Sequence, residues 1–254
     1  MNLNVKTFGQ GPALIILHGL FGSLDNWVTH ARSLADDFTV ITVDQRNHGR
    51  SPHAERWDYP AMAEDLATLM DQSGIYQAHL LGHSMGGKTV MQFASDFPER
   101  INRLVVADMA PKAYPPHHNE ILSTLNRIDV HTLSSRQEAD AQLATGIPET
   151  AVRQFLLKSL GRNEDLSFEW KFNLRVISRD YANILAPVKL HAPFPNPTLF
   201  VSGSRSAYVQ PEDMPEIKEY FPQVIFRTIP NAGHWLHADQ PELFIQEVRN
   251  FLLN

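Results

Sequence analysis

The 254-residue chain contains no cysteine. That absence excludes disulfides, thiolate metal sites and a cysteine nucleophile, so covalent chemistry has to come from Ser, Thr, Asp, Glu, Lys or His. Positive charge is not in excess either: 22 Lys and Arg stand against 28 Asp and Glu, for a formal net charge of -6. With no basic footprint, nucleic acid is not an expected partner, and no Lys/Arg cluster suggests an anionic membrane surface. Long apolar runs are missing as well; none approaches the roughly 18 to 20 residues that span a bilayer. The N-terminal "MNLNVKTFGQGPALIILHG" lacks the basic start, long apolar stretch and small-residue cleavage site of an export signal, so a cytoplasmic location is expected. These absences leave a small molecule as the expected partner of a monomer or homodimer.

What is present is an α/β rhythm. Short apolar runs at 3–8, 13–17, 39–43, 78–81, 104–107, 198–201 and 224–229 alternate with helical patterns. "DYPAMAEDLATLMDQSG" places Asp58 as an N-cap, Pro60 in the first turn and Gly74 as a stop. In "PELFIQEVRNFLLN", Leu243, Phe244, Val248 and Phe251 recur at helical spacing, which predicts a last helix packed on the sheet. The central strands are almost wholly apolar, as expected where helices cover both faces of a mostly parallel sheet.

Residues 112–194 break the rhythm. They show helical patterns and the proline-rich joints "PKAYPPHH" and "APFPNP", with no convincing strand. A helical insertion between two late strands is expected there, forming a cap over whatever the strand ends build, with 1–111 and 195–254 as the core.

The chemistry-bearing stretch is "HLLGHSMGGKTV". Strand, then Gly-x-Ser-x-Gly, then helix is the context in which a serine sits on a sharp turn with its hydroxyl exposed. Gly82 and Gly86 flank Ser84 where a Cβ would crowd the turn. At the following helix N-terminus, the Met85 amide can donate to a developing oxyanion. A second donor is expected from "LIILHGLFGS", with the Leu20 amide favoured over that of Phe21 and His18 shaping the loop.

Four blocks together resemble the α/β-hydrolase superfamily over nearly the whole chain: "HGLFGS", "DQRNHGRS", "GHSMGG" and "NAGHWLHADQPE". The blocks "HGLFGSLDN", "RNHG", "GHSMGGK", "FLLKS" and "GHW" are similar to those of small bacterial esterases of the YbfF type. The resemblance implies an α/β-hydrolase fold, no cofactor and no metal. It implies structural roles for Asp44, Arg46 and His48, with Asn47 standing where the family has glycine. It places the general base at His234, between the last strand and last helix. His237, three residues on, could suggest a metal pair with His234, but no carboxylate spacing supports one.

The acid does not fall at the usual position. After the strand that follows the cap, the family carries Gly-x-x-Asp; here "FVSGSRSAYVQPE" has Ser206 at that place. Glu212 or Asp213 lies a little downstream. "RLVVADMAP" offers Asp108, one βαβ unit after Ser84 and directly after a buried-strand pattern, a placement some α/β-hydrolases use. Asp108 is the expected acid.

Ser84, His234, Asp108 and two amide donors imply acyl transfer to water on carboxylic esters or thioesters through an acyl-enzyme. Phe21, Phe155, Trp170 and Trp235 are expected to wall the substrate pocket, with Leu156, Leu160, Phe172 and Met85 nearby. Lys158, Arg162, Lys171 and Arg205 could meet an anionic group such as a coenzyme A phosphate. Two rivals stand beside this reading. One is a C–C hydrolase or lyase like the menaquinone-pathway member of the superfamily, against which Ser206 speaks. The other is a non-catalytic binding protein, favoured if Asp108 cannot reach His234.

Overall fold

Near-continuous apolar runs become the strands of one sheet because a parallel strand covered on both faces has no solvent side to keep polar. A computed structural model describes residues 1–254. The first part of the chain forms β1 (Val5–Phe8), β2 (Ala13–Leu17), α1 (Val28–Leu34), β3 (Thr39–Val43), α2 (Tyr59–Gln72), β4 (Ala78–His83), α3 (Met85–Asp96) and β5 (Ile101–Ala107). The segment that follows holds α4 (Asn119–Arg127), α5 (Arg136–Leu143), α6 (Thr150–Lys158), β6 (Leu160–Arg162), β7 (Phe168–Trp170), α7 (Leu174–Arg179) and α8 (Tyr181–Leu185). The last part returns to the sheet with β8 (Thr198–Gly203), α9 (Met214–Tyr220), β9 (Val224–Ile229), α10 (Leu236–Asp239) and α11 (Pro241–Leu253).

The sheet runs β1-β3-β2-β4-β5-β8-β9, with only β1 antiparallel to its neighbour. Side chains alternate across it. Ile15 and Leu17 of β2 pack with Leu66 and Leu69 of α2, Val90 and Phe93 of α3 and Ile217 of α9. Leu14 and Ile16 face the other way, with Ala31 and Leu34 of α1 and Phe244 and Val248 of α11. Each such fully buried aliphatic or Phe side chain contributes about 1.5–3 kcal/mol relative to exposure. α2 starts where expected: the Asp58 carboxylate accepts from the Ala61 amide at 2.8 Å, and Gly74 ends the turn at φ 66°.

Two expectations need correction. The segment between β5 and β8 is not purely helical, because β6 and β7 pair as an antiparallel hairpin. Strands of three residues are too short to show a period of two. In α11, Leu243 does not pack on the sheet and is 40% exposed; Phe244, Val248, Phe251 and Leu252 face the core.

The inserted segment has its own apolar cluster, which includes Leu125, Leu143, Leu156, Phe168 and Ile177. It rests on Phe21, Trp57, Tyr59 and Met85 from the sheet-bearing part. No helix is long and apolar enough to cross a membrane.

Candidate active site

Ser84 lies between β4 and α3 with φ 54° and ψ −118°, a conformation that L residues rarely adopt. Its neighbours permit the turn only as glycines. A Cβ on Gly82 would stand 2.1 Å from the Gly86 carbonyl oxygen, and one on Gly86 would stand 2.4 Å from that of Leu17. The Ser84 amide donates to Ala107 O at 3.1 Å, which fixes the turn against the end of β5.

Asp108 leaves β5 one residue past the pairing of His83 with Ala107, so it emerges beside Ser84 at the same sheet edge. It too has positive φ, 51°, and its amide donates to Val201 O at 2.8 Å. His234 follows β9. Its Nδ1 lies 2.7 Å from Asp108 Oδ2 and its Nε2 lies 2.9 Å from Ser84 Oγ. One imidazole thus joins two residues that lie 126 and 150 positions before it in the chain.

Ser206 enters the same network. Its hydroxyl donates to Asp108 Oδ2, while the Gly203 amide donates to Asp108 Oδ1 at 3.2 Å. Burial raises the Asp108 carboxyl to about 6, and the hydrogen bonds from Ser206 and Gly203 pull against that rise. Burial lowers His234 to about 3, with the nearby His117 adding to the effect. At neutral pH the arrangement therefore holds an anionic carboxylate, a neutral imidazole and a hydroxyl in series. The downstream alternatives stand elsewhere: Asp213 pairs with Lys112 Nζ at 2.6 Å, and Glu212 is exposed.

The Leu20 and Met85 amides have no hydrogen-bond partner within the protein. The Phe21 amide is occupied, donating to His48 Nε2 at 3.3 Å. His48 donates from Nδ1 to Arg46 O, and His18 donates from Nδ1 to Gly19 O while its Nε2 accepts from the Gln45 amide. Both imidazoles are buried, lowered by desolvation to about 3 and about 4, and committed to holding loops. Asp44 caps the Leu24 and Arg50 amides, and Arg46 pairs with Asp65 at 2.6 Å. Asn47 sits at φ 64°, where glycine would be unstrained. Its side-chain oxygen accepts from the Ala54 amide and from Asn173 Nδ2 of the inserted segment.

Two cavities meet at Ser84, one of about 70 Å³ and one of about 30 Å³. Phe21, Phe155 and Trp235 line the larger; Leu20, Met85, Tyr59, Tyr114 and Ile184 line the smaller. Trp170 reaches neither. It is buried inside the inserted segment, stacked on Phe172 at 5.2 Å. Of the basic residues, Lys158, Arg162, Lys171 and Arg205 all lie outside both cavities, Arg162 over the Phe168 ring and Arg205 on Asn231 O.

Sequence reasoning missed Tyr208, whose ring stacks on the His234 imidazole at 3.6 Å and 12°. Its hydroxyl meets His117, and its carbonyl accepts from Tyr114 at 2.6 Å. An aromatic residue two places after Ser206 was the available signal. His118 lines both cavities and was equally unmarked.

A strand-ordered sheet with a serine turn of this shape defines a class, and the family model described as alpha/beta hydrolase fold matches residues 12–173. The chain belongs to the α/β-hydrolase family. Among its relatives it is 39% identical to the Escherichia coli K12 protein "Esterase YbfF", over 94% of this chain and 92% of that one. It is also 39% identical to the mouse "sn-1-specific diacylglycerol lipase ABHD11", over 95% of this chain and 81% of that one. A solved "Marine microorganism esterase" superposes with a TM-score of 0.96 at 43% identity, covering 98% of this chain and 99% of that one.

Proposed function

We propose that the protein is a serine hydrolase of carboxylic esters, thioesters included, working through an acyl-enzyme. The observation that carries this reading is the unbroken hydrogen-bonded series Ser84 Oγ, His234, Asp108 beside two free amides. Neutral His234 accepts the Ser84 proton as Oγ adds to the ester carbonyl, and Asp108 stabilises the imidazolium that forms. The carbonyl oxygen becomes an anion between the Leu20 and Met85 amides, at the N-terminus of α3. His234 returns the proton to the leaving oxygen, and water repeats the sequence on the acyl-enzyme.

Residues 112–194 act as a cap in this reading. Ile121, Val152, Phe155 and Leu156 from that segment close one side of the larger cavity, which keeps bulk water from the acyl-enzyme. The named activities of the relatives, esterase and lipase, agree in reaction type. The C–C hydrolase alternative loses ground with Ser206 after β8, and the binding-only alternative loses its premise with Asp108 at 2.7 Å from His234.

The test is a p-nitrophenyl ester chain-length series on wild type and Ser84→Ala. Loss of at least about 10⁴-fold in kcat is expected for the variant. Full activity in Ser84→Ala would sink the proposal.

A further inference from the structure

The larger cavity has a polar end. There, β4, the loop after β2 and α10 bring His83, Asn26 and His237 to the lining of one cavity, the two imidazoles 4.6 Å apart. His83 donates from Nε2 to His234 O at 2.8 Å, because a carbonyl can only accept. Burial keeps the ring neutral, lowered to about 3, so its Nδ1 is a bare acceptor with no partner. Asn26 uses only its side-chain oxygen, which accepts from the Ser23 amide at 2.8 Å; its NH₂ donates to nothing in the protein. His237 is 7% exposed and stacks on Trp27 at 4.5 Å. Neither of its ring nitrogens has a partner, and Nδ1 is fully buried.

Two of these side chains, His83 and His237, are buried and Asn26 is half-buried; a buried polar group left unpaired, as His237 Nδ1 is, costs about 1–3 kcal/mol. A loop or core position would be served as well by apolar residues of the same shape. The cost is offset when a ligand brings both a donor and an acceptor. A hydroxyl can do this in one atom, donating to His83 Nδ1 and accepting from the Asn26 amide in the cavity that His237 also lines.

We infer that the lining formed by Asn26, His83 and His237 is a subsite for a hydroxyl carried by the alcohol portion of the ester substrate. The side of the scissile bond follows from the base. His234 must protonate the leaving oxygen, and His234 with Trp235 lines this cavity and not the smaller one. The smaller cavity, lined by Met85, Met109, Ile184 and Leu185, then takes the acyl chain. This inference rests on the serine-esterase reading and narrows its substrate to esters of diols or polyols.

The experiment compares 2-hydroxyethyl butyrate with propyl butyrate, a pair differing by hydroxyl for methyl, by titrating released acid. The enzymes are wild type, His237→Phe and Asn26→Asp. His237→Phe keeps the stack on Trp27, and Asn26→Asp keeps the acceptor for Ser23 while deleting the amide donor. Wild type is expected to favour the hydroxyethyl ester by about tenfold or more in kcat/KM, which corresponds to about 1.4 kcal/mol. Both variants are expected to bring that ratio toward one; intrinsic ester reactivity cancels because the substrate pair is the same throughout. A wild-type ratio at or below one, or a ratio unchanged in both variants, overturns the subsite. Wild type inactive on p-nitrophenyl butyrate would overturn the esterase reading and the subsite together. Activity there without hydroxyl preference overturns the subsite alone.

Discussion

Ser206 Oγ donates to the same Asp108 oxygen that His234 Nδ1 reaches at 2.7 Å. The residue standing at the usual acid position thus serves an acid that stands on the neighbouring strand. Removing that hydroxyl takes away a bond to the charged form of Asp108, so the carboxyl becomes easier to protonate.

For Ser206→Ala, the acid limb of kcat/KM is expected to move to higher pH. In wild type the limb should fall as pH drops through about 6, where Asp108 takes up a proton and the Asp108–His234 pair loses its working charge state. The variant should also lose about tenfold at pH 7. A pH–rate profile superimposable on wild type would show that the Ser206 bond contributes nothing.

Asp108→Asn should lower kcat by about four orders of magnitude, because an amide cannot balance the imidazolium and favours the wrong tautomer. Asp213→Asn and Glu212→Gln should stay within a few-fold of wild type, since Asp213 faces Lys112 and Glu212 faces solvent. Steady-state kinetics on one p-nitrophenyl ester decide between the three, and a large loss in either downstream variant would reverse the assignment.

Lys88 is fully buried on α3, its Nζ 2.6 Å from Ala186 O and above the Tyr114 ring, with no carboxylate partner. Desolvation lowers it from 10.5 to about 7. Between those values the unfolded chain holds the extra proton, so stability rises with pH across that window and the penalty is complete below it. Lys88→Met should therefore raise the melting midpoint, by about 1–3 kcal/mol or roughly 3–8 °C at pH 6, and by less at pH 10. Calorimetry at the two pH values checks both the sign and the difference.

Asn47→Gly relieves a positive φ and should still destabilise, by about 1–2 kcal/mol, because the Ala54 amide and Asn173 Nδ2 lose their acceptor. Denaturant unfolding gives the value. A stabilised variant would mean that the conformational term outweighs the two bonds.

The five inner strands were legible because burial on both faces left each an apolar run, the part-exposed edge strands β1 and β9 because apolar residues still recur in them, and Ser84 and His234 because their flanks are specific. Asp108 needed a topological step, from the order of strands to a shared edge. What the sequence withheld depends on the direction of side chains in short elements. Phe155 and Trp170 are aromatic residues of the same segment, yet one faces the cavity and the other stacks on Phe172. Tyr208 against His234, and the meeting of Asn26, His83 and His237, join segments that carry no mutual pattern.

The ends of β5 and β8 converge on one point in space, so this fold offers two addresses for a single negative charge. A comparison that checks only the residue after β8 would class the chain as having lost its acid and set it among inactive relatives. Competence in such chains is better judged by whether any carboxylate reaches the far nitrogen of the histidine than by which strand supplies it.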